Sequence, residues 1–327
     1  MGKFLKIGFF FLLGIALIWW SLHQIPAEEW TKFTLALKQS KLWIVFPVFI
    51  ILGLSHFLRA LRWRLIMEPL GYRPSIANTY LAVLIGYLAN LAIPRLGEVL
   101  KCTLLAKYER VPAEKIVGTI VAERAFDVIS LGVVFLLALG LQFNVIEAGW
   151  NQLKSQTAAP VIDANEGVWK MYLLVGIGIV LIALFFILRK RIPTIVASIK
   201  NIISGIWEGV ISATKLKQHN LFFLYSFGIW FLYLLATYVG LHATAGTESS
   251  FATAISCLAY ASIGMILTPG GIGAYAFFMA KVLELNGIEY TLGLANGTLQ
   301  WFSQMIIVIV LGGLALILLP FINKQVK

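Results

Sequence analysis

The sequence predicts an all-α, polytopic membrane protein with about six transmembrane helices plus two re-entrant helical hairpins in an inverted repeat. Three observations lead there. First, 60% of the 327 residues are apolar and only 13% are charged, with a mean hydropathy of +0.87. A water-soluble domain carries about 25% charged residues, so this chain lacks the polar surface to cover itself in water. Second, several apolar stretches reach the roughly 20 residues that cross a bilayer as a helix. Third, two further apolar stretches are each cut by proline and glycine.

The full spans are read near residues 4–22, 42–62, 116–141, 171–188, 221–242 and 298–319. Lys3 and Lys6 precede the first, and no small-residue cleavage site follows it, so it reads as a retained signal-anchor helix. The interrupted stretches are 77–107, broken at Pro94-Arg95-Leu96-Gly97-Glu98, and 251–284, broken at Thr268-Pro269-Gly270-Gly271-Ile272-Gly273.

Basic residues flank the first interrupted stretch: Arg59, Arg62, Arg64 and Arg73 precede it, and Arg95, Lys101, Lys107, Arg110 and Lys115 lie within or after it. A crossing would strand one group on the wrong side of the membrane, whereas a hairpin entering from the cytoplasm and returning keeps both inside. The second stretch has acid-biased flanks and suits entry from outside. Both termini are then cytoplasmic. Residues 195–211 and, more weakly, 28–38 (Trp30, Phe33, Leu37) pattern as helices lying in the interface; the 142–170 loop is polar and external.

Span, hairpin and span occur twice, over about 42–141 and 221–319, within a single integral membrane domain covering 1–327. With six spans and two hairpins the copies run in opposite orientations. Inverted repeats with broken helices meeting at the midplane recur among transporters.

The net charge of +11 does not point to nucleic acid, because the charges sit at span ends. Two distant cysteines (Cys102, Cys257) and four scattered histidines give no metal-ligand spacing. Neither metal nor cofactor is expected.

The candidate site residues come from three places. Glu123, Arg124 and Asp127 lie inside a span, where each charge costs at least ~2.5–3.5 kcal/mol at the centre. Glu123 and Asp127 share a helix face and Arg124 can pair with Asp127. Asn90, Pro94, Arg95, Gly97 and Glu98 form the first break, where a guanidinium beside a helix N-terminus suits a phosphate. Pro269, Gly270, Gly271 and Gly273 form the second, where backbone could approach a substrate closely. Arg59, Arg62 and Arg64 read first as positive-inside anchors and Trp63 as part of an interfacial belt, with Arg59 or Arg62 reaching the site as the alternative. No nucleophile–base pair or nucleotide motif accompanies them.

Taken in order, Asn90-x-x-x-Pro94-Arg95-x-Gly97-Glu98, Glu123-Arg124-x-x-Asp127 and Pro269-Gly270-Gly271-Ile272-Gly273 resemble the lysylphosphatidylglycerol synthase transmembrane-region family, also called flippase-like domain proteins, across roughly 10–320. The resemblance implies a bacterial cytoplasmic-membrane domain that moves phospholipids or lipid-linked anionic substrates, such as polyprenyl phosphates or glycolipids, between leaflets. Its partners would be membrane lipids with phosphate-bearing head groups, with a possible lipid-modifying enzyme or glycosyltransferase beside it. In the synthases a soluble aminoacyltransferase domain follows; here the chain ends at Lys327, so the synthase activity is not carried over and no enzyme is expected. The alternative is an accessory subunit or enzyme of glycolipid or aminoacyl-lipid synthesis. Many relatives continue the glycine motif with Arg-Glu, where this chain has Tyr275-Ala276.

Overall fold

The computed structural model describes residues 2–93, 95–143 and 216–324. The expected span at 171–188, the interface helix at 195–211 and nearly all of the 142–170 loop lie outside the described residues, as does Pro94.

The described residues are all-helical, with no strand among them. Helix α1 is Gly2–His23, α2 Trp30–Lys38, α3 Val45–Met67, α4 Ile76–Ala92, α5 Leu96–Glu109 and α6 Ala113–Leu141. After the undescribed segment come α7 (His219–Leu241), α8 (Phe251–Leu267), α9 (Ala274–Leu285) and α10 (Tyr290–Ile322). Among the described residues four helices are long and apolar enough to cross a membrane: Leu42–Leu70, Ala113–Leu141, His219–Leu241 and Tyr290–Ile322. They match four of the six expected spans. Among the described residues a fifth crossing is available if the pair Gly8–His23 and Ala27–Lys38, bent by 93°, counts as one. Large apolar side chains such as Phe46, Leu136, Phe227 and Ile317 point outward from these helices, the surface an acyl-chain solvent requires.

The two interrupted stretches fold as helical hairpins, α4–α5 and α8–α9, and the breaks have a local cause. Ile93 and Thr268 each precede a proline, which excludes the helical region for them. They adopt extended backbone at φ −139°, ψ 118° and φ −126°, ψ 150°. The chain then reverses through positive φ, at Arg95 (70°) and at Gly270 (62°). Both first arms have 17 residues, and both begin at a serine that caps the helix, Ser75 accepting from the Asn78 N–H and Ser250 from that of Thr253. No hairpin arm reaches the ~20 residues of a crossing.

The hairpins enter from opposite ends of the long helices. At the end where α3 finishes and α6 and α7 begin, the base of α4–α5 is tied to the C-cap of α10. Asn323 and Asn78 exchange hydrogen bonds of 2.7 and 3.0 Å, and Asn78 also donates to Glu109 at 2.6 Å. At the other end, Gln142 at the C-cap of α6 exchanges bonds of 2.9 and 3.0 Å with Asn286 at the base of α8–α9, and donates to Thr253. Correspondingly, α4 packs on α10 and α8 on α6, while α3 and α7 pack along each other. The tips meet: a Cβ on Gly270 would lie 3.8 Å from Cδ2 of Leu91. Each tie carries net hydrogen bonds worth about 1 kcal/mol apiece. Asn323→Ala and Gln142→Ala are therefore expected to lower stability in detergent by roughly 1–3 kcal/mol each, additively in the double variant because the ties are far apart; thermal unfolding reads both.

Helix α2 forms where the sequence expected one, but its Phe33 is buried against Ala280, Tyr290 and Leu294 rather than left for a bilayer. Lys32 pairs with Glu289 and Glu29 accepts from Thr291, holding α2 on the start of α10.

Candidate functional site

The charges that the sequence places inside a span are drawn into one buried network by helices far apart in the chain. Glu123 on α6 lies between two cations: its Oε1 is 3.0 Å from Arg59 and its Oε2 is 2.7 Å from Lys101. Asp127, one turn on, accepts from Arg59 at 2.6 Å and from Arg62 at 2.7 Å. The arginines reach the second half of the chain as well, Arg59 donating to the Tyr233 hydroxyl at 3.2 Å and Arg62 to Ser226 at 3.3 Å. The side chains of Arg62 and Glu123 are 0% and 1% exposed.

Three buried cations against two carboxylates leave this network one positive charge in excess. Ionised groups so deep persist only when paired and hydrogen-bonded, and here the pairing is incomplete. The Nε atoms of Arg59 and Arg62 and Nδ1 of His56 are buried without a hydrogen-bond partner among the described residues. The aromatic side of the pocket helps hold the cations: the Lys101 ammonium sits 4.4 Å from the Trp63 ring centroid, and Trp63 donates to Thr119 at 2.8 Å.

Above the network lies a cleft between the α4–α5 hairpin and α6, lined by Arg59, Tyr87, Asn90, Gly97, Glu98, Lys101, Glu123 and Arg124. Its mouth is closed by Arg124, whose Nε is 3.0 Å from Glu98; their side chains are 44% and 29% exposed. Asn90 Oδ1 accepts from the Gly97 N–H at 2.8 Å, so the tip of the hairpin is bonded across its own turn. The arms touch closely here: a Cβ on Gly97 would collide with the Gly86 carbonyl oxygen and lie 2.9 Å from Cγ of Asn90. The free volume is ≈ 10 Å³, about the room one water needs.

Of the sequence-chosen residues, Asn90, Gly97, Glu98, Glu123 and Arg124 line one cleft, and Asp127 joins it through Arg59. Arg124 lies 3.9 Å from Asp127, but its nearer partner is Glu98. Arg95 is not brought in. It is exposed at the N-cap of α5 and does not line the cleft. Pro94 lies outside the described residues.

The second break takes a packing role in this conformation. Gly270 accepts from Trp301 through its carbonyl at 2.8 Å, Gly271 is closed over by Met265, and Gly273 abuts Gly14 and Ile18 of α1. Pro269 opens the one-turn helix Pro269–Gly271 between the arms. Tyr275 is buried and accepts from Gln304 at 2.8 Å.

Three expectations are corrected. Arg59 and Arg62 are buried ion-pair partners, not interfacial anchors, and Trp63 is fully buried rather than part of a belt. The physical reason is shared: α3 runs along α7 and α6, so its C-terminal turns face protein. Lys101, the third cation, was read only as one of the flanking positives. A sequence signal existed, since Ser55, His56, Arg59, Arg62 and Trp63 repeat at three- and four-residue spacing on a single face of an apolar helix.

The sequence matches the family described as lysylphosphatidylglycerol synthase TM region over residues 5–322. The chain belongs to this family. It is also similar to two UPF0104 membrane proteins of Methanocaldococcus jannaschii. MJ1078 is 24% identical over 206 residues, covering 63% of this chain and 82% of that protein. MJ1595 is 33% identical over 86 residues, covering 25% of this chain and only 26% of the relative. No solved structure matches the chain. As a member of the lysylphosphatidylglycerol synthase TM region family with several apolar helices of spanning length, the protein is an integral membrane protein.

Proposed function

We propose that this protein is a translocase for anionic, phosphate-bearing lipids in a cytoplasmic membrane, and not itself an enzyme. The observation that carries the reading is the buried network with an excess positive charge beneath a cleft closed by Arg124 and Glu98. A fixed cation excess in a low-dielectric interior favours an anion, and arginine holds phosphate through paired hydrogen bonds. In this reading Arg124 exchanges the Glu98 carboxylate for the head-group phosphate once the hairpin parts, while Arg59, Arg62 and Lys101 supply the attracting field. Glu123 and Asp127 hold those cations in place.

The fold reading that goes with it is an inverted repeat of two re-entrant hairpins, one from each leaflet. Opposite entry, short arms, touching tips and matched caps support it. So does the charge on the two faces. The face at the base of α4–α5 carries Arg64, Arg73, Lys107, Arg110, Lys115, Lys217 and Lys324 against Glu68, Glu109 and Glu114; the other carries Lys32, Lys38, Lys41 and Lys281 against Glu28, Glu29, Glu248, Glu284 and Glu289. By the positive-inside rule the first face is cytoplasmic, which puts the C-terminus there.

The test is reconstitution into liposomes with head-group-labelled phosphatidylglycerol or polyprenyl phosphate, following loss of label to an impermeant quencher. Wild-type protein is expected to speed exchange well above empty liposomes. Arg124→Ala should lower the rate by at least about tenfold, the loss of one charge-assisted hydrogen bond to phosphate. No movement of any anionic lipid by the wild-type protein sinks the proposal and turns attention to an accessory role in lipid synthesis.

A further inference from the structure

A second cavity, of ≈ 190 Å³, opens on the basic face at the end of the α3–α7 pair. At ~30 Å³ per water it holds the equivalent of about six waters, ample for a phosphate group. Its lining is mostly polar, made by Arg64, Glu68, Arg73, Gln218 and Tyr225, with Leu61, Leu65 and Leu221 contributing a smaller apolar part. Nothing in the family assignment or the buried network accounts for it.

The chemistry of the pocket is that of an anion site with one competitor built in. Arg73 is held by Glu68 at 3.0 Å. Arg64 donates its Nε to the Pro74 carbonyl at 2.8 Å. That bond sets the plane of the guanidinium and leaves its two terminal nitrogens with no acceptor among the described residues, the fork that matches two phosphate oxygens. Two cations against one carboxylate leave a positive excess here as well. The depth fits a head group, since the pocket sits where the spanning segments Leu42–Leu70 and His219–Leu241 end and begin, and basic pockets between helices on the cytoplasmic side take anionic head groups. That position at the level of the head groups favours the phosphate of a bilayer lipid over a free ion, because the lipid presents its phosphate there at high local concentration.

We infer that this pocket is a second anion site that binds the phosphate of an anionic phospholipid from the cytoplasmic leaflet. It lies directly outside the buried network: Leu61 precedes Arg62, and Tyr225 precedes Ser226, the side chain to which Arg62 donates at 3.3 Å. Binding itself does not depend on the translocase reading.

The experiment places the protein in phosphatidylcholine nanodiscs doped with a photoactivatable phosphatidylglycerol and maps the labelled peptides. Saturable labelling of the 218–225 region is expected, competed by phosphatidylglycerol and not by phosphatidylcholine or millimolar inorganic phosphate. The double variant Arg64→Gln/Arg73→Gln should weaken labelling there by about tenfold, and Glu68→Gln, which removes the competing carboxylate, should strengthen it. A gain in Glu68→Gln cannot come from misfolding. Equal labelling in wild type and the double variant, or equal labelling by a phosphatidylcholine probe, overturns the site; full competition by inorganic phosphate overturns the lipid assignment. Arg124→Ala should leave this labelling unchanged while transport falls, so failure here and failure of the translocase reading are separately visible.

Discussion

Glu123→Ala is expected to be the most damaging single substitution in the protein, costing about 3–5 kcal/mol of stability, the penalty for stranding buried charge. The glutamate is the one group that touches both Lys101 and Arg59, at 2.7 and 3.0 Å, and its removal leaves two cations facing each other without it. Only Asp127 would then remain to neutralise three positive side chains. The expected readout is loss of monodisperse protein after detergent extraction. Charge can be separated from shape by the double variant Glu123→Gln/Lys101→Met, which removes one charge of each sign and keeps the volumes close. It should recover stability well beyond either single variant. If Glu123→Ala unfolds no more readily than the wild type, the network is solvated rather than buried, and the electrostatic basis of the proposed site is gone.

The second large effect is expected from Gly97→Ala. One methyl group is enough because the obstacle is backbone: the added Cβ would overlap the Gly86 carbonyl oxygen and press on Cγ of Asn90. Neither can rotate away cheaply. Overpacking of this kind typically costs about 1–3 kcal/mol, and the hairpin relieves it only by separating α4 from α5. Lys101 lies one turn along α5 from Gly97, so the separation also moves the cation that pairs with Glu123. The variant should therefore lose transport more completely than it loses stability. Gly118→Ala is the control, since a Cβ there meets nothing within 4 Å. Full transport in Gly97→Ala would mean that close approach of the arms is not needed.

Much of the fold was legible along the chain. Helix breaks at 93–95 and 268–273 follow from proline and glycine, whose backbone limits act locally and do not depend on the surroundings. Four spans follow from apolar length alone. The acidic half of the buried network was legible too, because carboxylates four apart on a helix share a face wherever that helix packs. The cationic half was legible only as an alternative reading of Arg59 and Arg62. Arg59 and Arg62 stand at the end of an apolar helix, where a bilayer protein also places solvated anchors, and linear sequence offers the same pattern for both. Only the packing of α3 against α6 and α7 separates them. Arg95 is a different case: its neighbours looked like an anion site, and in this conformation it stands exposed at the N-cap of α5 and does not line the cleft.

By itself the sequence determined that the chain lives in a membrane, which stretches run as helices, and where two of them must break. These are short-range consequences of side-chain solvation and backbone sterics, and each residue carries its own share of them. The tertiary structure alone decided which charges meet, that the hairpin tips touch, and that cations outnumber carboxylates in the buried network. Those outcomes depend on helices far apart in the chain, as Arg59 donating to Tyr233 (|i−j| = 174) and Lys32 pairing with Glu289 (|i−j| = 257) show. Coulombic pairing in a low-dielectric interior is set by distances of a few ångströms, and such distances come from packing rather than from order along the chain.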